Sequence, residues 1–508
     1  MKMKICAAAA ALIGAFAANS QAEVLVAAVQ SGFTTLDPYD QADTLSQAVS
    51  KSFYEGLFGF DRNLKRIPVL AESAQASPDG LVYTIKLKKG VKFHDGTEFT
   101  AEAVKVNFDR VTDPNNGLRR IVLYGNIAKT EVIDPYTVKF TLKKPFSAFL
   151  NQLAHPSGAM ICPSAIAKYG KDVAFHPCGT GPYTMVKYNP SEVLEVKKFD
   201  GYRTPGLPKL DGIVWRPVIE NASRVAMLRT GEAHVATVVP PELVKVLEKE
   251  EGIAVDIDPM IVTRYLSMNV SKKPFSDVKV RHAINYAINK QALAKVAFAG
   301  YATPATGPAP AAVEYAVKFD PWPYDPKKAR ELLKEAGYPN GFNAVLWSGY
   351  NHSTANKVIQ FLQQQLSQVG IKCTIQALEA GQRVSLVEDL RDPKDAKYDL
   401  YYIGWSSSTG ELDWALRPLL ATESWAPNGE NAGFYSNPEV DKGLADALAT
   451  TDEAKKNEIY KHVQEVLWKD APWAFLVDEE SLSARTKRLT GFYILPDGNF
   501  DFYGAELK

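Results

Sequence analysis

Alternating and helically spaced apolar residues follow one another through the first half of the chain. Ala71–Lys89 has the pattern of a strand pair around a Pro-Asp-Gly turn. Apolar residues three or four positions apart predict a helix over Leu45–Phe58. A second helical run follows Thr100, which we expect to be its N-cap, and a third covers Asn221–Thr230. The first half therefore predicts a mixed α/β structure.

The second half has a more regular rhythm. Phe342–Trp347 predicts a strand, Ser353–Val369 a long helix, and Ile371–Ala377 another strand. This strand–helix–strand order is typical of an α/β lobe with parallel strands. Tyr265–Val270 predicts a short apolar strand, and Ser271–Ser276 has the polar, proline-containing composition of a crossing between lobes.

Length and charge narrow the class of protein. A chain of 508 residues is too long for one compact core, so we expect two or three lobes. The 58 basic and 58 acidic side chains balance. No basic excess indicates nucleic-acid binding, and no acidic tail indicates a basic partner.

The N-terminus has the features of an export signal. Lys2 and Lys4 precede the apolar run Ile5–Ala18, and small residues then predict cleavage near Ala22. Cys6 lies before the apolar run, which is the wrong place for a lipid-attached cysteine. We therefore expect residues 1–22 to be removed and the rest to be a soluble periplasmic protein, not a lipoprotein.

Three cysteines remain after that segment. Export to an oxidising compartment permits a disulfide, and the sequence favours a pair between Cys162 and Cys178, which flank a predicted helix and the turn after it. Cys373 lies in an alternating run, and we interpret it as a buried thiol and not as a nucleophile.

Tyr401–Trp414 is the segment with the clearest binding chemistry. Aromatic residues, including Tyr402 and Trp405, are followed by hydroxyl residues, including Ser407, and then by Asp413. Rings supply apolar surface, hydroxyls fix orientation, and a carboxylate pairs with an ammonium, as a pocket for a zwitterionic peptide requires. The alternative is a serine-rich surface turn with a helix-capping aspartate.

Several segments together resemble the bacterial extracellular solute-binding proteins of the peptide/nickel class, which serve ABC importers. The resemblance extends over nearly the whole chain after residue 22. Four segments carry it: SPDGLVYTIKLKKGVKFHDGTEFTAEAV at Ser77–Val104, GTGPY at Gly179–Tyr183, VRHAINYAIN at Val280–Asn289 and YDPKKARELL at Tyr324–Leu333. The cysteines at 162, 178 and 373 are not part of the family's pattern.

The resemblance implies a hinged, two-lobed α/β periplasmic binding protein of type II with ligand between its lobes. The first lobe would comprise residues 23–264 plus 482–508, with an extra subdomain at 55–175. The second lobe would comprise residues 265–481. The lobes would close on ligand about their crossings, and the closed monomer would deliver it to the transmembrane subunits of an ABC permease.

Other segments are similar to the family members that bind glutathione, among them FTTLDPYD at Phe33–Asp40, AGQR at Ala380–Arg383 and GWSSSTGELDW at Gly404–Trp414. We therefore expect glutathione as the ligand; a di- or oligopeptide is the alternative. The resemblance implies that Asp413 binds the ligand's ammonium.

The two carboxylates of glutathione require cations. Arg383 is the first candidate, since a guanidinium binds a carboxylate through two hydrogen bonds, and Arg264 at the predicted crossing is the second. The alternatives are a surface arginine and a hinge salt bridge. Thr34 and Thr35 form a loop that would close on the ligand backbone, unless it is only a local turn. Asn351 lies at the start of the long helix, where free backbone N–H groups could bind a ligand carboxylate. The alternative is an ordinary helix N-cap without a ligand.

Catalysis and metal binding are not expected. The histidines are not at ligand spacing, and there is no Cys-x-x-Cys, so we predict no protein-built metal site and no cofactor. Gly404-Trp-Ser is followed by Ser-Ser and is not a nucleophile elbow, and no His-Glu-x-x-His occurs. The sequence therefore favours a binding protein over a hydrolase.

Overall fold

A computed structural model describes residues 23–41 and 43–508 of the chain. The expected export signal at 1–22 lies outside the described residues. The strands are β1 Val24–Val29, β2 Phe58–Phe60, β3 Arg66–Pro68, β4 Ala71–Ala76, β5 Val82–Leu87, β6 Ile127–Asp134, β7 Thr137–Leu142, β8 Tyr183–Asn189, β9 Val193–Lys198, β10 Gly212–Pro217, β11 Val235–Thr237, β12 Ile253–Met268, β13 Ala302–Pro304, β14 Phe342–Ser348, β15 Ile371–Ala377, β16 Leu400–Ser406, β17 Trp473–Thr486, β18 Leu489–Thr490, β19 Tyr493–Ile494, β20 Phe500–Asp501 and β21 Glu506–Leu507.

Helices cover the faces and ends of the sheets. They are α1 Thr44–Ser50, α2 Ala101–Thr112, α3 Ile121–Tyr124, α4 Phe149–Gln152, α5 Pro163–Tyr169, α6 Asn221–Thr230, α7 Val244–Leu247, α8 Val278–Ala287, α9 Lys290–Phe298, α10 Pro326–Glu335, α11 Ser353–Ser367, α12 Ala380–Arg383, α13 Leu412–Leu420, α14 Pro438–Ala449 and α15 Glu453–Asp470. In the part of the chain that the structure describes, none of these helices is long and apolar enough to cross a bilayer.

The largest sheet of the described chain has eleven strands in the order β15-β14-β16-β12-β17-β11-β1-β10-β9-β8, with β13 paired to β17. Strand β14 is parallel to both β15 and β16, which confirms the parallel α/β arrangement predicted for the second half. Strand β1 is likewise parallel to β10 and β11. The mixed α/β fold class is confirmed.

Strands β12 and β17 lie next to each other in the middle of this sheet and connect its two halves. They pair antiparallel along most of their length, with register shifts between Pro259 and Thr263 and between Arg264 and Tyr265. The strand predicted at Tyr265–Val270 is only the end of β12, which begins at Ile253. The predicted lobe boundaries after residues 264 and 481 fall inside these two strands, whereas Ser271–Ser276, also predicted as a crossing, lies between β12 and α8. The lobe boundaries themselves stay a prediction.

The C-terminal tail returns to the first half of the chain. Trp215 on β10 is buried and stacks on Phe500 with ring centroids 5.4 Å apart. Phe492 and Phe502 belong to the same apolar core as the first-half strands. A separate four-stranded sheet, β4-β5-β7-β6, lies within the segment predicted as the extra subdomain, and α2 packs on its strand β6.

One local prediction was wrong. The helix expected over Leu45–Phe58 ends at Ser50, because the carbonyls of Ser52 and Phe53 turn outward and accept the N–H groups of Tyr183 and Gly181 at 2.9 and 2.8 Å. Phe53 stays buried in this turn, so the helical spacing reflects burial and not a continuous helix. The prediction that Thr100 is the N-cap residue of α2 is confirmed, although its side chain makes no capping hydrogen bond.

The cysteines have the arrangement expected from the sequence. Cys162 and Cys178 are joined in a disulfide with their Cα atoms 5.4 Å apart. Cys373 is a buried free thiol on β15, and burial raises its pKa to about 12. A thiol with so high a pKa is a poor nucleophile at neutral pH.

Candidate ligand-binding site

A cavity of about 910 Å³ lies beside β12 and β17 and is lined by both halves of the chain. Small-molecule sites in proteins have volumes of about 300–1,000 Å³, so this cavity is large enough for a small peptide. The lining before β12 includes Gln30, Asp43, Thr44, Gln47, Arg119, Arg120, Ile219 and Val238, and the lining from β12 onward includes Arg264, Tyr350, Asn351, His352, Glu379, Arg383, Glu388, Trp405, Ser408, Glu430, Glu479 and Glu480.

Four of the side chains predicted to contact ligand line this cavity. They are Arg264 on β12, Asn351 before α11, Arg383 on α12 and Trp405 on β16. The indole N–H of Trp405 donates to the carbonyl of Trp414 at 2.7 Å, which fixes the ring at the cavity wall. Ligand contact by these four residues stays a prediction.

Arg264 is already paired inside the cavity. Its Nη2 donates to the carboxylate of Glu479 on β17 at 2.8 Å, and its guanidinium lies 4.9 Å from the ring centre of Tyr350. Burial alone would lower the pKa of Arg264, but the charge of Glu479 raises it well above the usual value. The pair joins β12 to β17 at the predicted hinge, so the alternative of a hinge salt bridge has direct structural support.

Arg383 is also paired. Its Nε lies 2.7 Å from the carboxylate of Glu388, one helical turn further along the chain. Burial acts to lower the pKa of Arg383, and the charge of Glu388 outweighs it and raises the pKa. A ligand carboxylate would have to share this guanidinium with Glu388.

Asn351 and His352 begin α11 at the cavity wall. His352 is the N-cap, since its Nδ1 accepts the N–H of Ala355 at 3.3 Å. An imidazole that accepts this bond must be unprotonated at Nδ1, and burial together with the charge of Arg264 lowers the pKa of His352 to about 4. Both residues line the cavity.

Asp413, predicted to meet the ligand's ammonium, does not line the cavity. Its side chain is buried at 2% exposure, and both carboxylate oxygens accept hydrogen bonds from Arg417, at 2.9 Å from Nε and 2.8 Å from Nη2. The two residues are one turn apart on α13. The structure therefore engages Asp413 in an internal ion pair and does not bring it to the site.

Buried charges hold the loop that precedes α13. Glu411 is the N-cap of this helix and accepts the N–H of Asp413 at 3.0 Å. Its carboxylate also lies 2.8 Å from Nζ of Lys456 and accepts the hydroxyl of Tyr460 at 3.1 Å. These contacts fix the serine-rich loop to α15, so much of its polar chemistry serves local structure.

Four further predicted residues lie outside the cavity lining. Thr34 is an exposed neighbour of α1 whose hydroxyl donates to Asp43, the N-cap of that helix, at 2.5 Å. Thr35 accepts the N–H of Asp37 at 3.1 Å, which is the local turn that was the alternative interpretation. Tyr402 and Ser407 are buried.

Arg119, Arg120 and Glu430 are among the charged cavity residues that sequence reasoning missed. The arginines lie just before the short helix α3, and Glu430 lies in an irregular loop after α13. Neither segment has a motif or periodicity that marks a ligand site. Only the fold brings these distant segments to one cavity.

The geometry offers one grouping of metal-binding residue types. Among residues 23–41 and 43–508, ligand atoms of Asp95, Cys162 and Cys178 lie within 4.8 Å of one another. The two sulfurs are bonded to each other and are not thiolates. This group lies outside the cavity lining.

Sequence comparison finds similar proteins over almost the whole chain. The profile described as "Bacterial extracellular solute-binding proteins, family 5 Middle" matches residues 65–427. The glutathione-binding protein GsiB of Pectobacterium atrosepticum is 58% identical over 482 residues, which is 95% of this chain and 94% of that protein. The protein of the same name from Escherichia coli K12 is 58% identical over 494 residues, 97% of this chain and 96% of that protein.

Solved structures are similar over the same length. The periplasmic binding protein DppA of Helicobacter pylori, in complex with the peptide STSA, has 30% sequence identity and a TM-score of 0.84. The alignment covers 95% of this chain and 98% of that chain.

Proposed function

The chain belongs to the bacterial extracellular solute-binding proteins of family 5, and on that premise we propose that it captures glutathione for an ABC importer. The 58% identity to proteins named as glutathione-binding supports this ligand. The observation that carries the proposal is the cavity, which both halves of the chain line with arginine and carboxylate side chains. Glutathione has one ammonium and two carboxylates, so it needs both kinds of partner.

We propose that Trp405 and Asn351 contact the body of the ligand and that Arg264 and Arg383 assist in binding its carboxylates. Trp405 offers a fixed aromatic surface, and Asn351 lies beside the N-terminal turn of α11, whose N–H groups favour anions. The arginines would share their hydrogen bonds between ligand and the glutamates that they already meet.

Capture follows from the position of the cavity between the proposed lobes. In the described chain, Asn151 from the first half donates to the carbonyl of Thr409 at 3.1 Å, and Nε2 of His155 lies 2.9 Å from the hydroxyl of Ser408. Contacts of this kind form only when the two sides are together. Ligand that touches both sides would shift the population toward the closed form, which the permease would then accept. The protein would act as a monomer in the periplasm, without catalysis.

A di- or oligopeptide is the second candidate ligand. It is favoured by the similarity to a structure that holds the peptide STSA. The same cavity volume would accept a short α-linked peptide, and an arginine pair would bind its C-terminus.

Isothermal titration calorimetry with purified protein separates the two ligands. Glutathione, oxidised glutathione and a panel of dipeptides and tetrapeptides are titrated under the same conditions. The proposal predicts tight binding of glutathione and weaker binding of the α-linked peptides. Tight binding of the peptides with none of glutathione would replace it with the second candidate. Hydrolysis of any ligand during the titration would contradict a pure binding role.

A further inference from the structure

Several charged side chains of the cavity form no ion pair in the part of the chain that the structure describes. Arg119 and Arg120 form no ion pair with any carboxylate of residues 23–41 or 43–508, and Glu430 forms none with a cation in the same part of the chain. By contrast, Arg264 and Arg383 are paired with glutamates. We call Arg119, Arg120 and Glu430 the unpaired cluster.

Arg120 is the most enclosed of the two arginines. Its backbone N–H donates to the carbonyl of Tyr39 at 3.0 Å, which fixes the residue just before α3. Its Nε is buried and has no acceptor among the described residues, and burial lowers the pKa of its guanidinium. A buried donor without an acceptor is uncommon in folded proteins and calls for a partner. Arg119 beside it is exposed to the cavity.

Glu430 approaches the same region from the other half of the chain. Its N–H donates to the carbonyl of Pro418 at 2.9 Å, and its own carbonyl accepts the N–H of Ala432 at 2.8 Å, so its backbone is held. Glu430 lines the cavity, and its carboxylate accepts no hydrogen bond from any described residue. Burial and repulsion by Glu388 raise its pKa to about 7, against the opposing charges of Arg383, Arg120 and Arg119.

All three side chains line the same cavity, Arg119 and Arg120 from the chain before β12 and Glu430 from the chain after it. The two arginines also act to lower the pKa of Glu430. Two guanidinium groups on one side and a carboxylate on the other complement a group that carries a carboxylate and an ammonium on the same carbon. A free α-amino-acid head group has this arrangement. In a γ-glutamyl peptide the head group is intact, because the peptide bond is made through the side chain. In an ordinary peptide the first residue has an ammonium but no α-carboxylate.

Resting on the proposed function, we infer that the unpaired cluster binds the γ-glutamyl head group, with its α-carboxylate on Arg119 and Arg120 and its ammonium on Glu430. The cluster then distinguishes γ-linked from α-linked peptides. It also replaces Asp413, whose two oxygens are occupied by Arg417, as the acid that meets the ammonium. Charge-assisted hydrogen bonds of this type are strong in an enclosed site.

The test compares two isomers by isothermal titration calorimetry at pH 8. Glutathione and its α-linked isomer, α-Glu-Cys-Gly, have the same atoms and the same charges and differ only in where the first peptide bond is made. We expect the unsubstituted protein to bind glutathione roughly tenfold or more tightly than the isomer. Glu430→Gln should weaken glutathione binding roughly 30-fold or more, and Arg119→Gln roughly tenfold. Both substitutions should reduce the preference for the γ-linked isomer.

The matched controls are Glu423→Gln, an exposed acid before Glu430 in the same loop region, and Arg391→Gln, an exposed arginine; both lie outside the cavity lining. They should bind both isomers as the unsubstituted protein does. Arg119 and Glu430 are accessible from the cavity, and thermal unfolding checks that their variants fold.

The outcomes separate the inference from the proposed function. If the protein binds glutathione but Glu430→Gln and Arg119→Gln bind it equally well, the inference is wrong and the proposed function stands. Equal affinity for the two isomers also overturns the inference. If the protein binds neither isomer, the proposed function fails and the inference fails with it.

Discussion

Asp413 and Glu430 show why one acid near a ligand site is not equivalent to another. Asp413 lies in a loop with aromatic and hydroxyl neighbours, so the sequence favours it. Its pairing with Arg417 depends on both residues being on one turn of a helix, and α13 was not among the predicted helices. Had α13 been recognised, the spacing of four residues would have indicated an internal pair. Glu430 has no comparable sequence signal.

Asp413→Asn should therefore lower stability and leave binding nearly unchanged. The substitution leaves the partly buried guanidinium of Arg417 without its carboxylate, and breaking such a pair costs about 3–5 kcal/mol. Asparagine keeps one acceptor, so we expect a loss of about 2–4 kcal/mol in the free energy of unfolding, measured in urea. Lost glutathione affinity with unchanged stability would show instead that Asp413 contacts the ligand.

Glu430 should make the ligand-free protein less stable as pH rises. Its pKa of about 7 in the folded protein is above the value of about 4.3 for an exposed glutamate. Between these two values the unfolded chain gives up the proton first, so the folded state loses stability as pH increases through 7. Glu430→Gln removes this effect and should raise the Tm at pH 8 but hardly at pH 4.5.

The control for this pH dependence is Glu423→Gln, which changes an exposed acid before Glu430 in the same loop region. Its Tm should follow that of the unsubstituted protein at both pH values. If the Tm of the Glu430→Gln variant also follows that of the unsubstituted protein at both pH values, the carboxylate of Glu430 is solvated. Its charge then does not destabilise the folded protein.

Secondary structure was predictable where the spacing of apolar residues agrees with the residues that begin and end helices or strands. Ser353–Val369 was placed correctly as a helix, and α11 spans Ser353–Ser367. The helix over Leu45–Phe58 failed because its apolar residues are buried by tertiary contacts beyond Ser50. The long strand β12 was recognised only at its apolar end, since Ile253–Arg264 is partly exposed and lacks a continuous apolar pattern.

The contact between α4 and the serine-rich loop allows closure of the two proposed lobes to be tested without changing a residue that is proposed to contact the ligand. Asn151 is the last but one residue of α4, donates to Thr409 and also accepts from Arg66. Asn151→Ala removes a hydrogen bond to a buried carbonyl, worth about 1–1.5 kcal/mol, so glutathione affinity should fall roughly five- to tenfold. The exposed Asn115→Ala is the control. Unchanged affinity would show that this contact does not depend on closure.

The fold of the protein as a whole was accessible from the sequence through its family motifs, whereas the charged end of the cavity was not. The family motifs, such as Ser77–Val104, are continuous segments, so they can be recognised in the sequence alone. The cavity is assembled from segments on either side of β12 and β17. Arg120 and Glu430 become candidates for ligand binding only once the fold brings the two halves of the chain to one cavity.

Closure about β12 and β17 predicts that glutathione makes the protein more compact. Small-angle X-ray scattering should give a radius of gyration that falls toward roughly 23 Å, the value for a compact chain of about this size. An α-linked peptide that does not bind serves as the control. A radius of gyration that is unchanged at saturating glutathione would contradict capture by lobe closure.

A crystal structure of the protein grown with glutathione tests the proposed capture most directly. We predict electron density for one tripeptide between the two proposed lobes, with its α-amino-acid head group between Arg119, Arg120 and Glu430 and its body against Trp405. Density for the ammonium at Asp413, or density for the tripeptide outside this cavity, would contradict the assignment.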